Sequence, residues 1–295
     1  MSDWTATDVP DQHGRTIVIT GANSGLGAEA TRVLAKAGAT VVMACRDPDR
    51  ARTVAEPIDG DIDVRRLDLA DLASVHAFAD RLGTVDVLIN NAGVMAVPQA
   101  TTIDGFEQHI GINHLGPFAL TGLLINQIRD RVVTVSSGLH LVGRIGDDLN
   151  WQRRPYRRWL AYTQSKLANL LFAYELHRRL TAAGRHTMSM AAHPGVAATE
   201  GQRQDTSILG KILAGGPAQP PDMGVLPILY AATAPNLDGG TCTGPDGFLQ
   251  RSGYPTQVRT SRTSHDPAQA TRLWQRSELL TGVTYAIEPF RCQRW

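Results

Sequence analysis

Thr16-Ile-Val-Ile-Thr-Gly-Ala-Asn-Ser-Gly-Leu-Gly27 is a short apolar strand that leads directly into a glycine-rich turn. Gly21, Gly25 and Gly27 permit a tight turn and a close approach of backbone to a ligand. The helical stretch Leu26–Ala37 follows, so free N–H groups and the helix dipole favour a bound diphosphate. The spacing, G-x-x-x-G-x-G, differs from the G-x-G-x-x-G dinucleotide-binding fingerprint. An ordinary strand-to-helix turn is the alternative.

Short β-branched runs alternate with helical stretches along the chain. The predicted strands are Thr16–Thr20, Thr40–Cys45, Asp63–Leu67, Val85–Asn90, Arg131–Ser136 and Thr187–His193. The predicted helices are Leu26–Ala37, Pro48–Glu56, Leu72–Leu82, Phe106–Ile128, Leu160–Ala183 and Asp266–Leu280, the last with Asp266 as its N-cap. This alternation predicts an α/β fold: a single doubly wound Rossmann domain with a central parallel sheet and helices on both faces. We expect residues 1–295 to form one domain, with a core of residues 14–250 and a C-terminal extension of residues 251–295.

The composition of the chain limits which binding partners and which cellular compartment are expected. The 295 residues carry a formal net charge of +1 and 42% hydrophobic residues, which supports a sizeable core and gives no reason to expect nucleic acid. Cys45, Cys242 and Cys292 have no paired spacing, which indicates a reducing compartment. His109 and His114 fit helix packing better than a metal site. No apolar run reaches the ~18 residues of a membrane span, so we expect a cytoplasmic protein without one, and a homo-oligomer stays open.

A second stretch, Tyr162-Thr-Gln-Ser-Lys166, places a tyrosine and a lysine four residues apart. On a helix they share one face, with Cβ atoms about 5–6 Å apart. The ammonium of Lys166 is expected to favour the phenolate and to lower the pKa of Tyr162, making it a proton donor and acceptor at neutral pH. Chance on an amphipathic helix is the alternative. Ser136 and Ser137 end a predicted strand, at the edge where ligands bind in open α/β sheets.

Several motifs follow one another along the chain: TGANSGLG at residues 20–27, Asn90-Asn-Ala-Gly93, Asn113, Ser137, Tyr162-x-x-x-Lys166 and His193-Pro-Gly195. In this order they resemble the short-chain dehydrogenase/reductase family, from about Arg15 to Ala198. YTQSKLANLLF and the long Ser–Tyr interval are similar to its retinol-dehydrogenase-like and protochlorophyllide-reductase-like branch. The resemblance implies that the catalytic residues are Asn113, Ser137, Tyr162 and Lys166.

Each catalytic residue has a role in the family that this chain resembles. Ser137 is expected to hydrogen-bond the substrate oxygen, and Tyr162 to give a proton to that oxygen or to remove one. Lys166 is expected to hold the nicotinamide ribose, and Asn113 to support a water relay to the lysine.

The resemblance also implies the contacts of a nicotinamide cofactor: Gly21, Asn23, Ser24, Gly25, Leu26, Gly27, Arg46, Asp68, Leu69, Asn90, Ala92, Gly93, Tyr162, Lys166, Pro194, Gly195, Val196 and Thr199. The second strand ends at Cys45-Arg46, where an NAD enzyme has a carboxylate. A guanidinium there suits the 2′-phosphate of NADP, although Asp47 stands beside it. We therefore expect NADP, with NAD as the alternative.

The expected activity is the NADP-dependent interconversion of an alcohol and a carbonyl on a small, lipophilic molecule. The alternatives are a non-catalytic NADP-binding regulator and a C=C reductase of the protochlorophyllide-reductase type. Ser137 and Tyr162 are 25 residues apart, and the insertion between them brings aromatic and arginine side chains toward the site. Residues 201–222 carry Ile208, Leu209, Ile212 and Leu213 at a spacing that predicts one apolar helix face. This face is expected to close over the site as a lid, or else to pack as core.

Overall fold

The apolar run before the glycine-rich turn forms strand β1 (Thr16–Thr20) in the computed structural model, which describes residues 3–196 and 219–287. The other strands are β2 (Thr40–Cys45), β3 (Ile62–Arg66), β4 (Val85–Asn90), β5 (Ile128–Val135), β6 (Met188–Ala192), β7 (Cys242–Pro245) and β8 (Pro255–Gln257). The sheet order is β3-β2-β1-β4-β5-β6-β7-β8, and every neighbouring pair is parallel except β7 with β8. The strand order reverses between β1 and β4, and such a switch point forms a ligand crevice at the carboxyl ends of the strands.

Helices cover both faces of this sheet. They are α1 (Gly25–Lys36), α2 (Pro48–Ala55), α3 (Leu72–Ala79), α4 (Gln108–Ile110), α5 (Gly116–Leu124), α6 (Arg158–Ala182), α7 (Pro221–Gly224), α8 (Leu226–Thr233) and α9 (Pro267–Thr281). A π-helical turn, Gly111–Leu115, joins α4 to α5. Along β1, Ile17 and Ile19 belong to one hydrophobic core and Val18 to the other, as a parallel strand buried on both faces requires. In residues 3–196 and 219–287, no helix combines the length and apolarity needed to cross a membrane.

The predicted α/β fold class, with a central sheet between two layers of helices, is confirmed. The predicted helix Phe106–Ile128 is wrong at both ends. Thr102 donates its N–H to the carbonyl of Phe106 at 2.8 Å, which holds Phe106 in the preceding loop. At the other end Ile128 pairs with Val85 as the first residue of β5. The strands β7 and β8 escaped sequence reasoning because they are short and contain Pro245 and Pro255.

The C-terminal part of the described chain packs onto the sheet's helices. Asp266 caps α9 as predicted, since its carboxylate accepts hydrogen bonds from the N–H groups of Ala268 and Gln269 at 2.9 and 3.1 Å. Trp274 of α9 stacks on Phe172 of α6 with ring centroids 5.9 Å apart. The predicted division of the chain at residue 250 stays a prediction. The predicted lid residues, 208–213, lie outside the described residues.

Candidate active site

A cavity of about 540 Å³ lies beyond the carboxyl ends of β1, β4 and β5, at the switch point of the sheet. Most of the residues predicted to contact a cofactor line it: Gly21, Asn23, Ser24, Gly25, Leu26, Arg46, Asp68, Leu69, Ala92, Gly93, Tyr162, Lys166, Pro194, Gly195 and Val196. Ser137 lines it as well. Gly27, Asn90 and Asn113 do not reach its surface. Thr199 lies outside the described residues.

The glycine-rich turn depends on its glycines for steric reasons. Gly21 has φ +65°, and a Cβ at this position would lie 2.9 Å from Cα of Ala92. Gly27 packs directly on the carbonyl of Gly21, so a side chain there would separate the turn from α1. Ser24, the N-cap of α1, makes no side-chain capping hydrogen bond. The first turn of α1 therefore keeps N–H groups for an anionic ligand such as a diphosphate.

A hydrogen-bonded connection beneath this turn ties β1 to β4. The hydroxyl of Thr20 accepts hydrogen bonds from the N–H groups of Asn91 and Ala92, both at 3.0 Å. Asn91 Nδ2 in turn donates to the Thr20 carbonyl at 2.9 Å. Asn90, predicted to contact the cofactor, instead donates its amide to Thr121 Oγ1 inside the domain at 2.9 Å. Neighbouring residues at a strand end face opposite sides, which explains why Asn91 lines the cavity and Asn90 does not.

The end of the cavity near β2 carries the charged side chains. Arg46 is exposed and lines this end together with Asp47 and Asp68. The Asp47 carboxylate accepts hydrogen bonds from the N–H groups of Asp49 and Arg50, both at 3.1 Å, and so caps α2. Because Asp47 is committed to the helix, Arg46 is the side chain at the end of β2 that is suited to a phosphate.

Ser137, Tyr162 and Lys166 come together at the other end of the cavity. The hydroxyl of Ser137 hydrogen-bonds Tyr162, and Lys166 Nζ lies 5.8 Å from the centroid of the Tyr162 ring. Lys166 Nζ also donates to the carbonyl of Val135 at 3.1 Å. Ser136 is used differently, because its buried hydroxyl donates to the backbone carbonyl of Lys166 at 2.8 Å. Of the two adjacent serines, Ser137 is therefore the one beside the tyrosine.

Burial dominates the ionisation of this pair. Burial raises the pKa of the Tyr162 phenol, and the hydrogen bond with Ser137 offsets only part of that rise. Burial also lowers the pKa of Lys166 to about 8. The predicted lowering of the Tyr162 pKa by Lys166 is wrong, because burial is the largest cause of the shift and raises the pKa, and the partial lowering comes from Ser137. At neutral pH Tyr162 is the neutral phenol, which is the form that donates a proton.

Asn113 lies in the π-helical turn, behind Tyr162 and Lys166. Its Nδ2 donates to the carbonyl of Val94 and to Ser165 Oγ, both at 2.9 Å, and its Oδ1 accepts the N–H of Val94 at 2.7 Å. The side chain therefore joins the loop after β4 to α6, close to Gly93, where a Cβ would lie 3.4 Å from Lys166 Nζ. Its predicted part in a water relay stays a prediction.

The turn after β6 is held by residues that sequence reasoning missed. Gln219 Nε2 donates to the carbonyl of Pro194, and its backbone N–H donates to the carbonyl of Val196, both at 2.8 Å. The N–H of Val196 donates to the carbonyl of Arg251 at 2.7 Å. Gly195 adopts φ +66° between them. No sequence motif indicated Gln219 or Arg251, because the fold brings both residues to this turn from distant parts of the chain.

An apolar wall borders the cavity beside Tyr162. It consists of Met95, Val97, Leu139 and Trp159, and the Trp159 ring meets the Tyr162 ring edge-on at 6.1 Å. None of the four belongs to a motif found in the sequence. They occupy a loop, a short 3-10 helix and a helix start whose positions depend on the tertiary fold, so residue type alone could not place them.

A nicotinamide dinucleotide fits this cavity. The glycine-rich turn and the first turn of α1 suit its diphosphate, and Arg46 lies at the end suited to the adenosine. The opposite end holds a hydroxyl pair, Ser137 and Tyr162, next to a buried lysine. Bound here, a nicotinamide supplies or accepts a hydride. The fold and the site thus define an oxidoreductase of the NAD(P)-dependent class.

Comparison with known proteins identifies the family. The short chain dehydrogenase family model matches residues 15–208, and the chain belongs to this family. Human retinol dehydrogenase 13 is 39% identical over 292 residues, covering 92% of this chain and 85% of its own length. The protein is therefore an NAD(P)-dependent enzyme that acts on CH–OH and C=O groups.

Two solved structures extend the comparison. An uncharacterized protein from Mycobacterium paratuberculosis superposes with a TM-score of 0.86 and 49% identity, covering 96% of this chain and 99% of that one. A Beutenbergia cavernae protein, described as an NAD(P)-dependent gluconate 5-dehydrogenase and solved with bound NADP at low occupancy, has a TM-score of 0.60 and 28% identity. Its match covers 76% of this chain and 92% of that chain. NAD(P) binding follows from the family and its geometry.

Proposed function

We propose that the protein interconverts a lipophilic alcohol and its carbonyl with NADP, and that Tyr162 is the acid/base. The observation that carries this proposal is the grouping of Ser137, Tyr162 and Lys166 at the apolar end of a cavity shaped for a dinucleotide. Burial raises the pKa of Tyr162 and so keeps the phenol protonated until a negative charge develops on a neighbouring oxygen.

Each catalytic side chain has one task in the proposed reduction. The Ser137 hydroxyl hydrogen-bonds the carbonyl oxygen, and Tyr162 gives its proton to the same oxygen as charge develops there. In oxidation Tyr162 takes the proton back. Lys166, with its pKa at about 8, is mostly an ammonium at neutral pH, which suits it to ribose hydroxyls and to a forming phenolate. Asn113 braces the lysine's neighbourhood, and we keep its water relay as part of the proposal.

The preference for NADP rests on charge at the end of β2. Arg46 lies there with an exposed guanidinium, and the carboxylate of Asp47 is occupied in capping α2. A 2′-phosphate would gain a charge-assisted hydrogen bond from Arg46, whereas the carboxylate of Asp47 already accepts two N–H groups of α2 through one of its oxygens.

The preference for a lipophilic substrate rests on the wall beside Tyr162. Met95, Val97, Leu139 and Trp159 offer a carbonyl compound apolar surface, and a charged acid or a sugar would lose hydration there without gaining partners. The relative named retinol dehydrogenase 13 is consistent with this class of substrate.

The test begins with binding and then measures turnover. Quenching of tryptophan fluorescence during titration with NADPH and with NADH gives the two dissociation constants. NADPH oxidation is then followed with a panel of aliphatic and aromatic aldehydes and ketones, with aldose sugars as polar controls. We expect tighter NADPH binding and turnover of the lipophilic carbonyls. Faster turnover of the sugars would contradict the substrate class, and binding without turnover would favour a regulator.

The cytoplasmic location also stays a proposal. It is supported by Cys45 and Cys242, which are buried free thiols, as a reducing compartment favours. Fractionation of cells that produce the protein tests it, with recovery in the membrane pellet as the contrary result.

A further inference from the structure

A buried polar cluster lies directly behind Tyr162 and takes no part in the chemistry proposed above. Glu107 is 2% exposed and His109 is fully buried. His109 Nδ1 lies 2.7 Å from Glu107 Oε1, and the hydroxyl of Tyr156 lies 3.0 Å from the same oxygen. Burying a carboxylate costs free energy unless hydrogen bonds compensate. We therefore ask what the hydrogen bonds of this cluster hold in place.

The tautomer of His109 follows from its partners. The N–H of Val97 donates to His109 Nε2 at 3.3 Å, so Nε2 carries a lone pair. The proton therefore sits on Nδ1 and points at Glu107. Glu107 also accepts the N–H groups of His109 and Ile110, both at 2.9 Å. The ring of His109 is thus fixed on both sides.

His109 and Tyr156 both hold the apolar wall of the cavity. Val97 donates its N–H to His109, and its carbonyl lies 3.4 Å from the Tyr156 hydroxyl. The preceding residue, Ala96, has φ +50°, a left-handed conformation that costs on the order of 1–3 kcal/mol in a residue other than glycine. Such strain persists only where neighbours enforce it, and the two hydrogen-bonding side chains supply that constraint.

The same cluster touches the catalytic tyrosine. The rings of His109 and Tyr162 meet edge-on, with centroids 6.2 Å apart. Ala96 packs with Tyr162 and Trp159 in one small hydrophobic group. A change in the cluster therefore reaches the wall and the proton donor together.

Tyr156 comes from the insertion between Ser137 and Tyr162. Another residue of this insertion, Asn150, accepts the N–H of Glu107 at 3.0 Å through its side-chain oxygen. Trp151 meets the Tyr156 ring edge-on at 5.8 Å. The insertion thus ends in contacts with the cluster, which gives this part of the sequence a role in the pocket.

We propose that Glu107, His109 and Tyr156 form a positioning unit. The unit fixes the Met95–Val97 segment of the apolar wall against Tyr162 and thereby sets the preference for long carbonyl substrates. The unit acts through the wall and is not itself catalytic. This inference rests on the proposed function. We expect a long aldehyde to extend along this wall and a short one to contact only the end near Ser137 and Tyr162.

The test compares nonanal with propanal in four proteins: wild type, Tyr156→Phe, His109→Leu and His109→Gln. Tyr156→Phe and His109→Leu should raise the KM for nonanal roughly tenfold, which is the size of effect that the loss of one apolar contact gives. The KM for propanal should change by less than about threefold. His109→Gln keeps an acceptor for the Val97 N–H and should return the nonanal KM most of the way to wild type. The dissociation constant for NADPH should stay unchanged in all four proteins.

Equal losses for nonanal and propanal would overturn the inference, as would identical behaviour of His109→Gln and His109→Leu. If His109→Leu does not fold, Tyr156→Phe carries the test alone, since it removes one oxygen atom and nothing else. A wild-type enzyme that turns over neither aldehyde would overturn the proposed function and this inference with it. If the wild type is active but the variants change the KM for nonanal and for propanal by the same factor, only this inference is overturned.

Discussion

The two ends of the cavity are built in different ways. At the end suited to the diphosphate and adenosine, the surface is mostly backbone: a glycine-rich turn, the first turn of α1 and the loop after β4. At the end near Tyr162, the surface consists of side chains from the β4 loop, the turn after β5 and the start of α6. The first end is shaped by what is absent, namely Cβ atoms at Gly21 and Gly27. The second is shaped by which large side chains are present.

This difference separates general from particular recognition. Backbone N–H groups and a helix dipole bind a diphosphate whatever the substrate, so that end can serve any member of the class. Apolar side chains held by the Glu107–His109–Tyr156 cluster can change shape with a few substitutions, so the other end can select one carbonyl over another. Changes at the two ends should therefore have separable effects on cofactor and substrate.

The largest effect is expected at the substrate end. Tyr162→Phe should lower kcat by about 10²–10⁴, because the proton donor is lost, and should leave the NADPH dissociation constant nearly unchanged. Steady-state rates with a lipophilic aldehyde and a fluorescence titration measure the two quantities. Tyr174→Phe is the matched control, since the Tyr174 hydroxyl bonds Thr260 and lines no part of the cavity. Near-normal turnover in Tyr162→Phe would refute its role.

At the cofactor end, Arg46→Ala should separate the two nucleotides. A charge-assisted hydrogen bond contributes about 1.5–3 kcal/mol, so NADPH binding should weaken roughly tenfold to a hundredfold while NADH binding changes little. The exposure of Arg46 favours the lower figure. Fluorescence titration with both nucleotides provides the measurement. Arg52→Ala on α2, outside the cavity lining, is the control, and equal weakening of both nucleotides in Arg46→Ala would count against the NADP preference.

The hydrogen-bonded connection beneath the glycine-rich turn gives a smaller, structural effect. Thr20→Val leaves the N–H groups of Asn91 and Ala92 without their acceptor, which should lower the free energy of unfolding by about 1–3 kcal/mol. NADPH affinity should fall as well, since these residues shape the turn. Urea denaturation followed by circular dichroism measures the stability, and Thr20→Ser, which keeps the hydroxyl, should restore most of it. A fully stable Thr20→Val would show that the connection is dispensable.

The last expected effect concerns pH and Lys166, and it is confined to stability. Its pKa is about 8 in the folded protein against an ordinary value of 10.5, so between these pH values the unfolded chain binds more protons. The contribution of Lys166 to the free energy of unfolding therefore rises with pH between 8 and 10.5 and is lost as the pH falls through 8. Lys166→Met should melt above the wild type by several degrees at pH 7, and its advantage should shrink toward pH 10. Thermal melts from pH 6 to 10 without cofactor provide the measurement, and a pH-independent difference would contradict the buried lysine.

Sequence reasoning could name many of the residues that line the diphosphate and adenosine end, because this end depends on local backbone geometry. A glycine pattern after a strand of a βαβ unit predicts a tight turn that a diphosphate can approach. Gly21, Gly25 and Arg46 line the cavity as expected. Asn90 does not line the cavity, because the turn after β4 fixes which of the two adjacent asparagines faces it, and the predicted contact of Asn90 with the cofactor stays a prediction. That choice follows from strand register, which the motif alone does not contain.

The substrate end was less accessible to sequence reasoning because its contacts join distant segments. Glu107 and Tyr156 are separated by 49 residues yet share a hydrogen bond. The pKa shift of Tyr162 also could not be read from the spacing to Lys166, because its largest cause is burial, a property of the folded protein. Ser137, Tyr162 and Lys166 could be named as candidates from the sequence, whereas the wall beside them required the structure.

The measurement that tests the account most directly is hydride transfer itself. NADPH carrying deuterium at the transferable position on C4 is mixed with enzyme and a lipophilic ketone, and the alcohol product is analysed by mass spectrometry. The account predicts an alcohol with one deuterium on its carbinol carbon, formed by wild type and at least about a hundredfold more slowly by Tyr162→Phe. An alcohol without deuterium, or equal rates in the two proteins, would contradict it.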